Sequence, residues 1–226
     1  HCGSVVVGGM SNIASGLSSF VGGGCGNDAT QAGSTAVGGY SNCSAGKGTF
    51  IGGGFLNSAM GEFATVTGGV NNSSCGKFGA IGGGCGHDSQ DCFGTIGGGI
   101  CNMVCCYGTV GGGENNCACG SRHSTIGGGK GNQSTACETT IAGGRDNCAT
   151  EAGATVGGGK GNIACVCYGT VGGGENNSID SAAFGTIAGG AQNQVSCGAC
   201  GFIGGGYSLS AHNNFDVVVG GCKNDT

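Results

Sequence analysis

The stretch CYGTVGGGENN, Cys106 to Asn116, returns letter for letter from Cys167 to Asn177. Relaxed to a β-branched or small apolar residue, a variable residue, Gly-Gly, two free positions and Asn, the phrase occurs fifteen times. The Asn falls at 12, 27, 42, 57, 72, 102, 116, 132, 147, 162, 177, 193 and 224, and His87 and Leu209 fill the same slot in two copies. The period is 15 residues, shortened to 14 before Asn116 and stretched to 16 before Asn132, Asn193 and Leu209, while the Gly-Gly ahead of the slot is unbroken. A unit this short cannot bury a core by itself, so each copy must be one coil of a stack that buries it jointly.

Within each coil the segment before the Gly pair reads as a strand: Phe93-Gly-Thr-Ile96, Tyr107-Gly-Thr-Val110, Tyr168-Gly-Thr-Val171 and Phe184-Gly-Thr-Ile187 are aromatic, Gly, Thr, β-branched. Alternation places Val21, Ile51, Val66, Ile81, Ile96 and their equivalents inside and the neighbouring Thr outside. Two residues after the Asn, a second small position (Ala14, Ala29, Ser44, Ala59, Ala149, Ala164) can face that ladder across a thin interior. Gly-Gly turns the backbone or lets another segment approach closely, because only Gly enters positive φ without steric cost. The Asn is expected at a corner, left-handed, bonding to nearby backbone and to the Asn of the next coil. No helix is expected. Domain organisation reads as a single β-solenoid domain over 1–226, about fifteen coils on the order of 70 Å long at about 4.8 Å each.

Composition agrees with a repeat architecture and excludes several classes. Gly is 59 of 226 residues, Pro and Trp are absent and only 8% of residues are charged, which is not the balance of a conventional globular core. Collagen needs Gly at every third position, and a flexible linker lacks a strict register. No apolar run reaches the length of a membrane helix, and a formal charge of −5 argues against nucleic acid or anionic lipid as a partner. The chain opens at His1 without a basic-then-apolar leader, so a processed mature chain is expected. Eighteen Cys is a density usual for secreted proteins, and an oxidising, extracellular or surface setting is expected. Six N-x-Ser/Thr sequons, at Asn42, Asn71, Asn72, Asn132, Asn176 and Asn224, fall out of a repeat built on Asn followed by small residues.

The repeats carried by Asn12-Ile-Ala-Ser-Gly16 and by Asn57-Ser-Ala-Met-Gly-Glu-Phe-Ala-Thr-Val66 resemble the short repeats of bacterial and phage surface fibre proteins. They are also similar to the head repeats of trimeric autotransporter adhesins. The resemblance covers essentially the whole chain. It implies a left-handed parallel β-roll, commonly trimeric, with surface display and attachment as its role. Those repeats are usually poor in Cys, unlike this chain.

Cys92 and Cys106 occupy the same slot one coil apart, as do Cys105 and Cys119, and Cys85 and Cys101 are one position out of register. Coils spaced at about 4.8 Å fall inside the Cα window of a disulfide, so coil-to-coil staples are expected, Cys92 to Cys106 and Cys105 to Cys119 foremost. The rival, a structural metal, needs a second spaced pair beside Cys197-Gly-Ala-Cys200, and none is identifiable; neither metal nor cofactor is expected. The four His lie far apart in register and suggest no Ser-His-Asp or Cys-His pairing, so a non-enzymatic role is expected. Glu114, Lys130, Arg145, Lys160 and Glu175 form a charged corner row, read as solvated residues making weak cross-coil pairs.

Three outward features bear on function. Thr95, Thr109, Thr125, Thr140, Thr155, Thr170 and Thr186 share one slot on seven consecutive coils, the kind of ladder that ice-binding β-solenoids present. Its same-face neighbour is read as aromatic, and Phe63, Phe78 and Phe93, in one register, are expected to be covered by a laterally associated chain. Finally, joining Thr226 to a following His1 separates Asn224 from Asn12 by 14 residues, a spacing the chain already uses. End-to-end stacking through His1, Cys2, Gly3, Cys222, Asn224 and Thr226 into a filament of self-associated chains is therefore expected. The leading expectation is a secreted structural fibre subunit, with an ice-binding solenoid and an adhesin head as alternatives.

Overall fold

A computed structural model of the chain describes residues 3–197 and 199–224. The fold is all-β, with no helix among the described residues: a parallel β-solenoid with a coil about every 15 residues. The chain divides into two compact units, His1–Glu114 and Asn115–Thr226. In the first, the strands before the Gly pairs, from Val5–Val6 and Phe20–Val21 to Thr95–Ile96 and Thr109–Val110, form one parallel sheet. Those following the Asn slot, from Ile13–Ala14 to Met103–Val104, form another. The second unit repeats the plan with Thr125–Ile126 to Val217–Val218 in one sheet and Cys117–Ala118 to Ser210–Ala211 in the other. A third parallel contact, one residue per coil, runs along the corner after Gly-Gly, as from Tyr40 to Phe55 to Val70.

The interior is the one the alternation requires. Ile51, Val66, Ile81 and Ile96 in the first unit, and Ile126, Ile141, Val156 and Val171 in the second, are buried opposite Ala59, Ala118, Ala149 and Ala164. Burying each such β-branched side chain is worth about 1.5–3 kcal/mol. Volume is balanced locally. Where the small position is filled by Ile179 or Val195, the residue across from it is Gly185 or Gly201, whose added Cβ would lie 2.9 Å from Ile179 Cγ2 or 2.6 Å from Val195 Cγ1. This accounts for Gly185 in Phe184-Gly-Thr-Ile187. Where both positions are polar they satisfy each other, Ser44 Oγ lying 2.8 Å from Thr49 Oγ1.

Coil-length variation is confined to one place. From the strand before Gly-Gly to the strand after Asn the spacing is constant, as in Val21 to Asp28, Ile126 to Gln133 and Ile187 to Gln194. The return turn is shortened between Val104 and Thr109 and lengthened between Ala118 and Thr125, Ile179 and Thr186, and Val195 and Phe202.

Two backbone expectations are corrected. The strand read from Phe93 to Ile96 is only Thr95–Ile96; Phe93 lies in the return turn with φ of 60°, as do Phe63 (59°), Phe78 (60°), Tyr107 (55°), Tyr168 (57°) and Phe184 (61°). The reversal needs one left-handed residue, which Gly33, Gly48 and Gly153 supply in other coils. The second correction concerns the Asn, which is not left-handed. The residue before it is, from Ser11 and Ser41 to Asn176 and Gln192, or Gly26, Gly86, Gly131 and Gly161.

Candidate functional site: the ladders

The most developed polar arrangement is the Asn row. Asn42 is fully buried; its Nδ2 donates to Gly38 O (2.9 Å) in its own coil and to Gly54 O (2.9 Å) in the next, and its Oδ1 accepts the Asn57 N–H at 3.0 Å. The same set recurs at Asn27, Asn57 and Asn162. One amide thus closes its own corner and fixes the register of the next. The second Gly of each pair makes this possible. Gly39 has φ of 93°, and a Cβ there would lie 2.2 Å from Gly54 O and 2.7 Å from Asn42 Nδ2, whereas a Cβ on Gly38 would meet nothing nearer than 3.8 Å.

His87 occupies the row as a substitute. Its Nδ1 accepts the Asn102 N–H at 3.1 Å, but the buried Nε2, beside the Gly83 and Gly99 carbonyls, makes no well-formed hydrogen bond. Burial lowers its pKa below the ordinary 6.5, with backbone hydrogen bonding opposing the shift. The unfolded chain therefore takes up this proton more readily than the folded one, so His87 costs stability as pH falls from about 6.5 towards the lowered native value. His87→Asn is expected to raise unfolding free energy by about 1 kcal/mol at neutral pH. It should also remove this component of the acid-side loss. Urea titrations at pH 7 and pH 5 check both.

The aromatic residues form a second ladder. Phe63 and Phe78 stack at 5.4 Å, Phe78 and Phe93 at 5.0 Å, and Phe93 and Tyr107 at 4.9 Å; Tyr168 and Phe184 stack in the second unit. The Phe63 ring lies over Gly48, whose Cβ would come within 2.7 Å of it. Ring faces are thus covered within the chain, and Phe63, Phe78 and Phe93 remain 42–44% exposed along their edges. Stacking offsets the left-handed backbone. Phe78→Ala keeps the strained φ and loses two stacks, so Phe78→Gly is expected to be the more stable of the two by about 1 kcal/mol, read from urea melts.

The Thr residues stand outward and in register: Thr95 pairs with Thr109 in the first unit, and Thr125, Thr140, Thr155, Thr170 and Thr186 pair in succession in the second. Their same-face neighbours differ from the expectation. The aromatics belong to the turn, and two residues further along the strand direction stand Gly127, Ala142, Gly157, Gly172 and Ala188.

The expected disulfide staples are not formed; in the first unit Cys85, Cys92, Cys101 and Cys106 are thiols. The register itself is as read, since Tyr107 N–H donates to Cys92 O (2.9 Å) and Cys101 N–H to Cys85 O (2.8 Å). In-register side chains of a parallel stack point the same way, so their Cβ atoms stay near the strand spacing of about 4.8 Å. A disulfide needs roughly 3.5–4.5 Å. Cys105 and Cys119 fall in different units and are likewise not disulfide-bonded. Cys117, beside Cys119 on one strand face, has its pKa lowered from 9.0 chiefly by a hydrogen bond from the Cys119 thiol.

Among the described residues no group of three or more His, Cys, Asp or Glu is arranged to hold a metal ion. In the charged row, Lys130, Arg145, Lys160 and Glu175 pair along the corner, and Lys160 Nζ meets Glu175 Oε1 at 3.0 Å. One pairing is absent from the sequence reading: Ser196 Oγ lies 2.5 Å from His212 Nδ1 in the next coil. Asp216 Oδ2 accepts the main-chain N–H groups of His212 and Asn213, which makes it a turn cap. Only the 16-residue spacing from Ser196 to His212 could have signalled this pair. The sequons divide sharply, since Asn42, Asn72 and Asn132 are buried in the ladder whereas Asn71 and Asn176 are exposed. Of the end residues, Gly3, Cys222 and Asn224 are exposed, and His1, Cys2 and Thr226 lie outside the described residues. No helix among the described residues is long and apolar enough to cross a membrane.

No family of known proteins matches this chain, and no curated protein does. The likeness to surface fibre repeats and adhesin heads rests on the quoted repeat residues alone.

Proposed function

We propose that the chain is a non-enzymatic structural protein, a subunit of an extracellular fibre that grows by coil-on-coil stacking of identical chains. The observation supporting this is that, within each unit, each coil makes nearly the same bonds to its successor, in both sheets, along the Gly-Gly corner and through the Asn row. A coil is its own complement, one side matching the other, and such head-to-tail contacts extend without closing. The extracellular setting is supported by the cysteine density. Electron microscopy of the purified native protein over a concentration series tests the reading. Filaments that lengthen with concentration are expected, and separate short particles at every concentration would reject it.

The Thr row supports a second reading, adsorption to ice. Five successive Thr in register beside a rank of Gly and Ala make a regularly spaced hydroxyl lane in the second unit. A freezing-point gap measured on the purified protein, lost in Thr140→Lys/Thr155→Lys, supports this reading, and no gap excludes it.

A further inference from the structure

Seventeen of the eighteen cysteines lie among the described residues, and each of them is half-buried or exposed, none fully buried. Cysteine is ordinarily among the residue types most often found inside a protein. The apolar core here is made of Val, Ile, Ala and Leu, with Ser at several small positions. These thiols all stand outside that core. Equivalent positions on neighbouring coils are also too far apart at Cβ for a bridge along the stack. What remains open to them is the outside. Cys25 and Cys85 stand in the corner row after Gly-Gly, on either side of the exposed side chains of Tyr40, Phe55 and Val70. Cys101, one coil beyond Cys85, is exposed at a left-handed turn beside Ile100 in that row.

We infer that this corner is a covalent contact surface for a second copy of the chain, with exposed thiols of two solenoids joined by interchain disulfides. A second copy is the occupant because it carries the same apolar row and the same thiols at the same coil spacing. A twofold contact therefore sets like rows against each other over several coils, burying the apolar edges together. The contact is lateral and does not depend on the stacking reading.

Oxidised glutathione is a sufficient oxidant. A thiolate of one chain attacks its disulfide and expels one glutathione thiolate, leaving a protein–glutathione mixed disulfide. A thiolate of the second chain attacks the protein sulfur and expels the other glutathione thiolate. Two protein thiols are oxidised to one disulfide, one glutathione disulfide is reduced to two thiols, and the two protons released go to the glutathione thiolates. Cys43 and Cys148, whose pKa values are raised chiefly by burial, enter this exchange more slowly than the exposed thiols.

The test is incubation of the reduced full chain in a glutathione redox buffer, then non-reducing gel electrophoresis and mass-spectrometric mapping of the bridges. Covalent dimers and larger species that collapse to monomer on reduction are expected, with bridges mapping chiefly to Cys85 and Cys101. Cys85→Ser/Cys101→Ser should cut the dimer yield at least severalfold while the circular dichroism spectrum is unchanged. A chain that stays monomeric, whether its thiols are consumed or intact, overturns the inference. So does a bridge map dominated by Cys43 and Cys148, or an undiminished yield from the double variant.

Discussion

Gly39→Ala is expected to lower unfolding free energy by about 4 kcal/mol or more, while Gly38→Ala, one residue earlier in the same pair, changes it by less than about 1 kcal/mol. Gly39 combines φ of 93° with a site where a methyl group would sit 2.2 Å from Gly54 O and 2.8 Å from Gly54 N. Both contacts are to main chain, which cannot swing aside without breaking the Tyr40 N–H to Gly54 O bond that carries the corner register. Gly38 has room, its nearest neighbour being Gly23 O at 3.8 Å. Because coils in a solenoid support chiefly their neighbours, the damage should be local. Hydrogen exchange should accelerate in the coils around residues 24–54 of Gly39→Ala and remain slow elsewhere in the unit. Equal melting of the two variants would show that the corner adjusts more freely than its contacts allow.

Asn57→Ala is the second large effect, expected to cost about 2–6 kcal/mol. The substitution removes the acceptor of the Asn72 N–H (3.0 Å) and the donor to Gly53 O (3.0 Å), leaving both groups without their bonds. Gly69 O also loses a donor but keeps the Phe55 N–H. Asn57→Asp separates the two halves of the amide's work. The carboxylate retains an acceptor for Asn72 but sets a second oxygen, charged and buried, against the Gly53 and Gly69 carbonyls. Its pKa should rise in the folded state, so the folded chain holds its proton more tightly than the unfolded one. Stability of this variant should therefore increase as pH falls through the raised value, opposite to the trend that His87 imparts. Urea titration between pH 7 and pH 4 distinguishes the two slopes.

The period, the two apolar positions and the need for Gly-Gly were legible because each repeats in a fixed slot and each has one physical cause. The aromatic turn was not. Phe-Gly-Thr-Ile alternates as a strand should, and only Gly3, Gly33, Gly48 and Gly153 in the same slot mark it as a place where φ is positive. The same mark was available one residue before each Asn, where Gly26, Gly86, Gly131 and Gly161 alternate with Ser, Leu and Asn. A slot shared between Gly and bulkier residues reports backbone conformation better than the bulkier residues do. The cysteine register was also correct, yet register gives a Cα separation and says nothing of side-chain direction, which decides whether two thiols can be joined. The Ser196–His212 contact joins residues of unlike type in one slot, so no repeat pattern singles it out.

The unequal sides of each coil bear on how such a chain can lengthen and vary. Between the strand before Gly-Gly and the strand after Asn, an added residue would displace an amide from two carbonyls and a neighbouring N–H at once. The opposite turn already accommodates the short passage at Val104 to Thr109 and the long one at Ala118 to Thr125. Gene duplications that copy a coil with one codon too many or too few are thus harmless when the error lands in the aromatic turn and ruinous when it lands at the Asn corner. The same asymmetry makes that turn the natural graft point for foreign peptides, displaying one on each coil along one edge of a unit.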